Sequence, residues 1–260
     1  MVLQTDPSGV PRLIGDNKSE SVTLSIADAT NFPLGVWMLG GDDSILGSAA
    51  SDLIFGNEGE DFIRGDFGND SLLGGKGKDG IGGWEGNDSI NGGQDGDWLS
   101  GDNGNDILFG GKGNDFLGSG NGNDTLVGGL GRDFLGVDEY GSMKIGGSNL
   151  YVLQPEPGVT DINNADLIAG FTLGTDRIGL ANGLTANDIV LENLTNVPIT
   201  IQLEFPQALS SLVRPELLRP RSGVTSGTLI KIRSSGDLIG FVEGIAPAQL
   251  QNSIISVQGF

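Results

Sequence analysis

The 260 residues carry 34 acidic against 14 basic side chains, a net charge of −20, with no histidine and no cysteine. Such a chain repels nucleic acid and anionic lipid, attracts cations, and has no disulfide to hold it. The missing residue types exclude a Ser-His-Asp triad, a zinc peptidase site and a thiol nucleophile.

The first twenty residues, MVLQTDPSGVPRLIGDNKSE, lack the basic start and apolar run of a Sec-type signal. No stretch reaches the roughly 18 apolar residues of a membrane helix, so membrane insertion is not expected. Residues 21–38, SVTLSIADATNFPLGVWM, alternate Val22, Leu24 and Ile26 and read as a strand that caps a solenoid end. Trp37 reads as part of that packing. Residues 1–37 form this expected N-terminal cap.

From Met38 the chain counts in nines over eleven units. The sixth position is Asp43, Asp52, Asp61, Asp70, Asp79, Asp88, Asp97, Asp106, Asp115, Asp124 and Asp133. The eighth is always Ile or Leu, from Ile45 to Leu135, and glycine dominates the first and fourth. A flexible glycine linker has no reason to hold an aliphatic residue at a fixed offset. Glycines permit a tight turn over the first six residues, and the last three read as a short strand with its middle residue pointing inward. Two units then make one coil of a right-handed parallel β-roll, so the predicted class is all-β.

Units two apart stack about 4.8 Å apart. This places Asp43, Asp61, Asp79, Asp97, Asp115 and Asp133 in one ladder, and Asp52, Asp70, Asp88, Asp106 and Asp124 in the other. Two carboxylates about 5 Å apart repel by about 1 kcal/mol in water and about 3 kcal/mol at an effective dielectric of 20. A divalent cation between turns reverses that sign. The donors are all oxygens, without histidine or cysteine, and loose oxygen cages suit Ca²⁺ better than Mg²⁺. Ladders of six and five allow at most about nine inter-loop sites. The best are expected among Asp61, Asp70, Asp79, Asp88, Asp106, Asp115 and Asp124. Unit 47–55 lacks two glycines, Asp95 replaces a glycine in unit 92–100, and Met38 opens the first unit poorly.

The units GNEGEDFIR, GDFGNDSLL, GDNGNDILF and GGKGNDFLG resemble the nonapeptide repeats of RTX (repeats-in-toxin), hemolysin-type calcium-binding proteins. The resemblance covers roughly residues 38–136. It implies a calcium-loaded parallel β-roll and export through type I secretion machinery.

Beyond Leu135 the aspartate register ends. Residues 146–158, GGSNLYVLQPEPG, resemble a final degenerate repeat of that family, with Leu150 and Tyr151 where aspartate is expected. Residues 165–180 resemble its exit segment through Asp166, Phe171, Asp176, Ile178 and Leu180. Gly170 stands where the exit segment has its second aspartate, which speaks against a calcium site there. Residues 137–260 read as a small mixed-β region: an alternating strand at 199–205, a hairpin about Ser234–Asp237, a short turn or helix, and a last strand. Arg214, Arg219 and Arg221 make the one basic cluster, read as an exposed loop with docking of an acidic partner as the alternative. The family resemblance also implies an uncleaved C-terminal secretion signal.

The expectation is thus a secreted, extracellular or cell-surface, non-catalytic calcium-binding protein whose roll folds on Ca²⁺ outside the cell. Two alternatives stay open. One is a calcium-bridged surface-layer or filament subunit, a homo-oligomer. The other is a small carbohydrate-binding or catalytic module in the C-terminal region, with a cell-surface polysaccharide as its partner.

Overall fold

The computed structural model describes residues 2–5, 11–32, 35–136, 147–201 and 221–259. The docking loop around Arg214 and Arg219, and the strand residues 202–205, lie outside the described residues.

The nine-residue period becomes a coil because each unit supplies one strand and one turn, alternately to two sheets. One eleven-stranded sheet runs, in spatial order, Val2–Thr5, Pro11–Ile14, Val36–Trp37, Leu53–Glu58, Ser71–Lys76, Ser89–Gln94, Ile107–Lys112, Thr125–Leu130, Leu150–Leu153, Arg177–Leu180 and Ile254–Ser256. The other begins at Ser21–Thr23 and runs Ser44–Leu46, Phe62–Phe67, Gly80–Glu85, Trp98–Ser100, Phe116–Gly118, Phe134–Leu135 and Leu167–Ile168. It ends on Leu238–Glu243, Arg221–Ile232 and Ile189–Ile201. Within the repeats every pairing is parallel and in register, as with Ile90 beside Leu72 and Leu108. The protein is therefore an all-β parallel β-roll.

The eighth-position residues form its core. Ile45, Ile54, Ile63, Leu72, Ile90, Leu99, Leu108, Leu117, Leu126 and Leu135 are completely buried, and Ile81 nearly so. Fully burying each such side chain contributes about 1.5–3 kcal/mol. The core is one aliphatic residue wide, so its stability depends on the turns staying stacked.

Several elements differ from the sequence expectations. The repeat strands of the first sheet from Leu53–Glu58 to Thr125–Leu130 are six residues long, running through the following glycine, where three were expected. The second residue of a unit takes positive φ there, as at Asn57 (77°) and Gly75 (126°), which bends the chain without ending the ladder. Asp95, in place of a fourth-position glycine, adopts φ 71° as the glycines do.

Residues 21–38 are not one strand. Ser21–Thr23 is a strand, Ile26–Asn31 a short helix, and Val36–Trp37 a second strand. The Asp28 carboxylate accepts from both the backbone N–H and the hydroxyl of Ser25 at 2.7 Å, which starts the helix and leaves Ile26 exposed. Trp37 packs on Phe55, ring centroids 4.3 Å apart.

The outward seventh position is not uniformly solvated either. Trp98, Phe116 and Phe134 stack at 4.1 and 5.3 Å. They form a second apolar cluster with Val197, Leu229 and Phe241. The hairpin around residues 233–237 is present, its strands antiparallel, and Pro247–Leu250 with Ile254–Ser256 supply the short helix and last strand.

Candidate metal centre

Each repeat aspartate sits just before a strand, at the end of its glycine turn, and all eleven are at most 3% exposed. Parallel stacking brings equivalent turns together, and the two ladders form along opposite edges.

The hydrogen bonding within a ladder is regular. One carboxylate oxygen accepts from the backbone N–H of the aspartate one coil earlier. Asp61 Oδ1 accepts from Asp43, Asp79 from Asp61, Asp97 from Asp79 and Asp115 from Asp97, all at 2.8–2.9 Å. On the other edge Asp70 accepts from Asp52, Asp88 from Asp70 and Asp106 from Asp88 at 2.8 Å. The aspartates thus tie turn to turn even before any ion is considered. The sequence period shows that they are neighbours but not that one oxygen is committed to backbone.

The second oxygen is the informative one. Oδ2 of Asp43, Asp61, Asp70, Asp79, Asp88, Asp97, Asp106, Asp115 and Asp133 is buried without a hydrogen-bond partner, as is Oδ1 of Asp52. An orphaned buried carboxylate oxygen costs several kcal/mol unless something positive faces it. The space beside it is closed to side chains. A Cβ added to Gly74 would lie 2.2 Å from Asp79 Oδ2 and 2.7 Å from the Gly92 carbonyl, and one on Gly110 would lie 2.3 Å from Asp115 Oδ2 and 2.5 Å from the Gly128 carbonyl. Carboxylate and next-turn carbonyl therefore share a small all-oxygen cradle. Among the described residues no three acidic side chains converge as a metal cage. The donor set is carboxylates completed by backbone carbonyls, which fits a hard cation such as Ca²⁺.

Electrostatics agree. Burial pushes Asp97 up to about 9, Asp79 and Asp106 up to about 8, Asp61, Asp70 and Asp115 up to about 7, and Asp43 up to about 6. The backbone N–H bonds pull the other way and lose. These carboxyls bind protons more tightly in the metal-free fold than in the unfolded chain. Their contribution to metal-free stability is complete below about pH 4 and is lost as pH rises through 6 to 9. Calcium-stripped protein is therefore expected to gain β-structure and urea resistance on acidification from pH 8 to pH 5. Loss of structure over that range would contradict this account of the burial. With calcium bound, acid acts in the opposite direction, because protons compete with the ion.

Three features escape the nine-residue count. First, the ladders continue past it. Asp133 N–H donates to Asp166 Oδ1 at 3.1 Å, Asp124 N–H to Asn149 Oδ1 at 3.0 Å, and Asn149 N–H to Asp176 Oδ1 at 2.9 Å. The degenerate repeat carries Asn149, not Leu150 or Tyr151, at the aspartate position. Second, the ladder reaches backward, since Glu20 N–H donates to Asp43 Oδ1. Third, asparagines at the fifth position form an outer rung on one edge. Asn87, Asn105 and Asn123 N–H donate to the Oδ1 of Asn69, Asn87 and Asn105 at 2.8–2.9 Å. The recurring Gly-Asn-Asp tripeptide is the signal that could have revealed it.

Comparison with known proteins agrees with this geometry. Residues 39–135 match the family model described as RTX calcium-binding nonapeptide repeat, in overlapping segments at 39–72, 56–90, 65–99, 83–117 and 100–135. RTX nonapeptide repeats bind Ca²⁺ between their loops. No curated protein matches the chain. Among solved structures, the extracellular lipase LipA from Serratia marcescens aligns at TM-score 0.36 and 15% identity, over 90% of this chain. The chain spans 42% of that lipase's length.

Proposed function

We propose that this chain, whose residues 39–135 are RTX calcium-binding nonapeptide repeats, is a secreted, non-catalytic calcium-binding protein of the cell surface or extracellular matrix. Calcium is its folding switch. The chain leaves the cell unfolded, through type I secretion machinery, where calcium is scarce. It folds outside, where extracellular modules with affinities of about 10⁻⁴–10⁻³ M find enough of the ion.

The observation that carries this reading is the row of buried aspartates, each with one oxygen committed to backbone and most with the other orphaned. Asp43, Asp52, Asp61, Asp70, Asp79, Asp88, Asp97, Asp106, Asp115, Asp124 and Asp133 are the proposed ligands, at up to about nine inter-loop sites. The proposed parts are a cap at 1–37, the roll at 38–136, and a region at 137–260 that holds the uncleaved export signal. A non-catalytic role accords with a chain that lacks histidine and cysteine and whose regularly placed carboxylates serve the ladders. Among the described residues no helix is long and apolar enough to cross a membrane.

Limited proteolysis tests the switch. With millimolar calcium a fragment covering residues 38–136 should resist cleavage; with chelator, or with magnesium alone, it should be degraded. Equal protection with and without calcium would overturn the proposal.

A further inference from the structure

The first ladder meets a problem at its last repeat. The turn 128–133 has no repeat above it, yet Asp133 is 1% exposed and its Oδ2 has no partner. On the other edge the corresponding step is neutral, because Asn149 succeeds Asp124. On this edge the next segment is acidic.

The hydrogen bonds show what replaces the missing turn. In a regular coil the fourth-position N–H donates to the third-position carbonyl of the next turn on its edge. Gly59 donates to the Lys76 carbonyl at 2.9 Å and Gly113 to the Leu130 carbonyl at 2.8 Å. Gly131 occupies the same position in the last repeat, and its N–H donates to Glu156 Oε1 at 2.5 Å. The Glu156 carboxylate stands where an oxygen of the next turn would stand. Strand pairing sets that register, since Val127 lies beside Val152 and the chain runs on to Glu156. A small cavity opens there, lined by Gln154, Glu156, Asn164 and Asp166 together with the apolar Val159, Leu238 and Ile239. Glu156 adds its negative charge to both Asp133 and Asp166. The nearby basic group is Arg132, half-buried and close enough to Asp166 and Asp161 for their charges to act on it.

We propose that a further divalent-cation site, selective for calcium, closes the first ladder between turn 128–133 and segment 154–166. Its ligands are the carboxylates of Asp133 and Glu156, with loop carbonyls. Asp166 positions Asp133 by accepting its backbone N–H. The site seals the open end of the roll against the C-terminal region, and does so without an aspartate at residue 170. The inference rests on the calcium reading of the ladders.

The test is Glu156→Gln, which keeps an oxygen for Gly131 N–H and removes only the charge. Bound calcium is counted by equilibrium dialysis at saturating free calcium, with Glu58→Gln, on an exposed carboxylate, as control. Glu156→Gln should bind one ion fewer than wild type, and Glu58→Gln the same number. An unchanged count and unchanged affinities in Glu156→Gln would overturn the terminal site alone. A wild-type chain that binds no calcium would overturn the ladder reading as well. Should Glu156→Gln not fold, anomalous scattering from calcium-loaded wild-type crystals decides. A peak about 2.3–2.6 Å from Glu156 and Asp133 oxygens supports the site, and no peak there refutes it.

Discussion

Asp97→Asn should destabilise the protein in calcium and stabilise it in chelator. Asparagine keeps an Oδ1 to accept from Asp79 N–H, so the turn-to-turn bond at 2.8 Å survives. What is lost is a charge buried among Asp79, Asp115 and Asp95, whose carboxyl burial and those neighbours push up to about 9. Without metal the carboxyl must take up a proton to be buried near neutral pH, which opposes folding, and its removal should stabilise by a few kcal/mol. With metal the same charge holds the ion, and an amide nitrogen facing a cation is worse than an empty position. The calcium-saturated variant should lose on the order of 3–5 kcal/mol, the range for removing one partner of a buried charge pair. Urea unfolding of wild type and variant, each in calcium and in chelator, measures all four values. A variant that shifts stability in the same direction under both conditions would contradict an ion-holding role for the Asp97 charge.

Gly104→Ala should disrupt the stack whatever the metal. Gly104 has φ +148°, and a Cβ there would sit 1.4 Å from the carbonyl oxygen of Gly86, one coil away. That contact is with backbone, so no side-chain rotation relieves it. Gly104 N–H also donates to the Asn121 carbonyl at 2.9 Å, which ties it to the coil on the other side. The expected cost is on the order of 3–5 kcal/mol, backbone strain and overpacking together. Gly158→Ala separates the two causes. Its φ of +89° is equally unsuited to alanine, yet nothing lies within 4 Å of the added atom. That variant should cost about 1–2 kcal/mol. Comparable losses for the two variants in calcium-saturated urea unfolding would mean that close stacking of the coils is not what confines these turns to glycine.

The roll was legible because its physics repeats. An aspartate and an aliphatic residue at fixed offsets, unit after unit, define the inward face, the turn and the neighbour in the next coil. Legibility ended where the spacing changed. One ladder steps by 18 residues as far as Asp133 and then by 33 to Asp166; the other steps by 18 as far as Asp124 and then by 25 to Asn149. Counting in nines cannot track such jumps, although strand pairing carries the register straight across them. The helix Ile26–Asn31 was hidden for another reason. Val22, Leu24 and Ile26 alternate as a strand would, while the Ser25–Asp28 capping interaction decides the local structure. The seventh-position aromatics flank an inward residue and so point outward, and the period says nothing of what later packs over Phe116 and Phe134. Which carboxylate oxygen meets backbone and which stays orphaned is likewise a matter of coil geometry, beyond the reach of a one-dimensional pattern.

A far-UV circular dichroism titration with calcium, begun from chelated protein at pH 7.5 with magnesium as control, bears most directly on the ladders. Orphaned oxygens on Asp61, Asp79, Asp97 and their neighbours require a cooperative gain of β signal near millimolar calcium and none with magnesium. A full β signal in excess chelator at that pH would contradict the account, since the buried carboxylates would then be held without the ion.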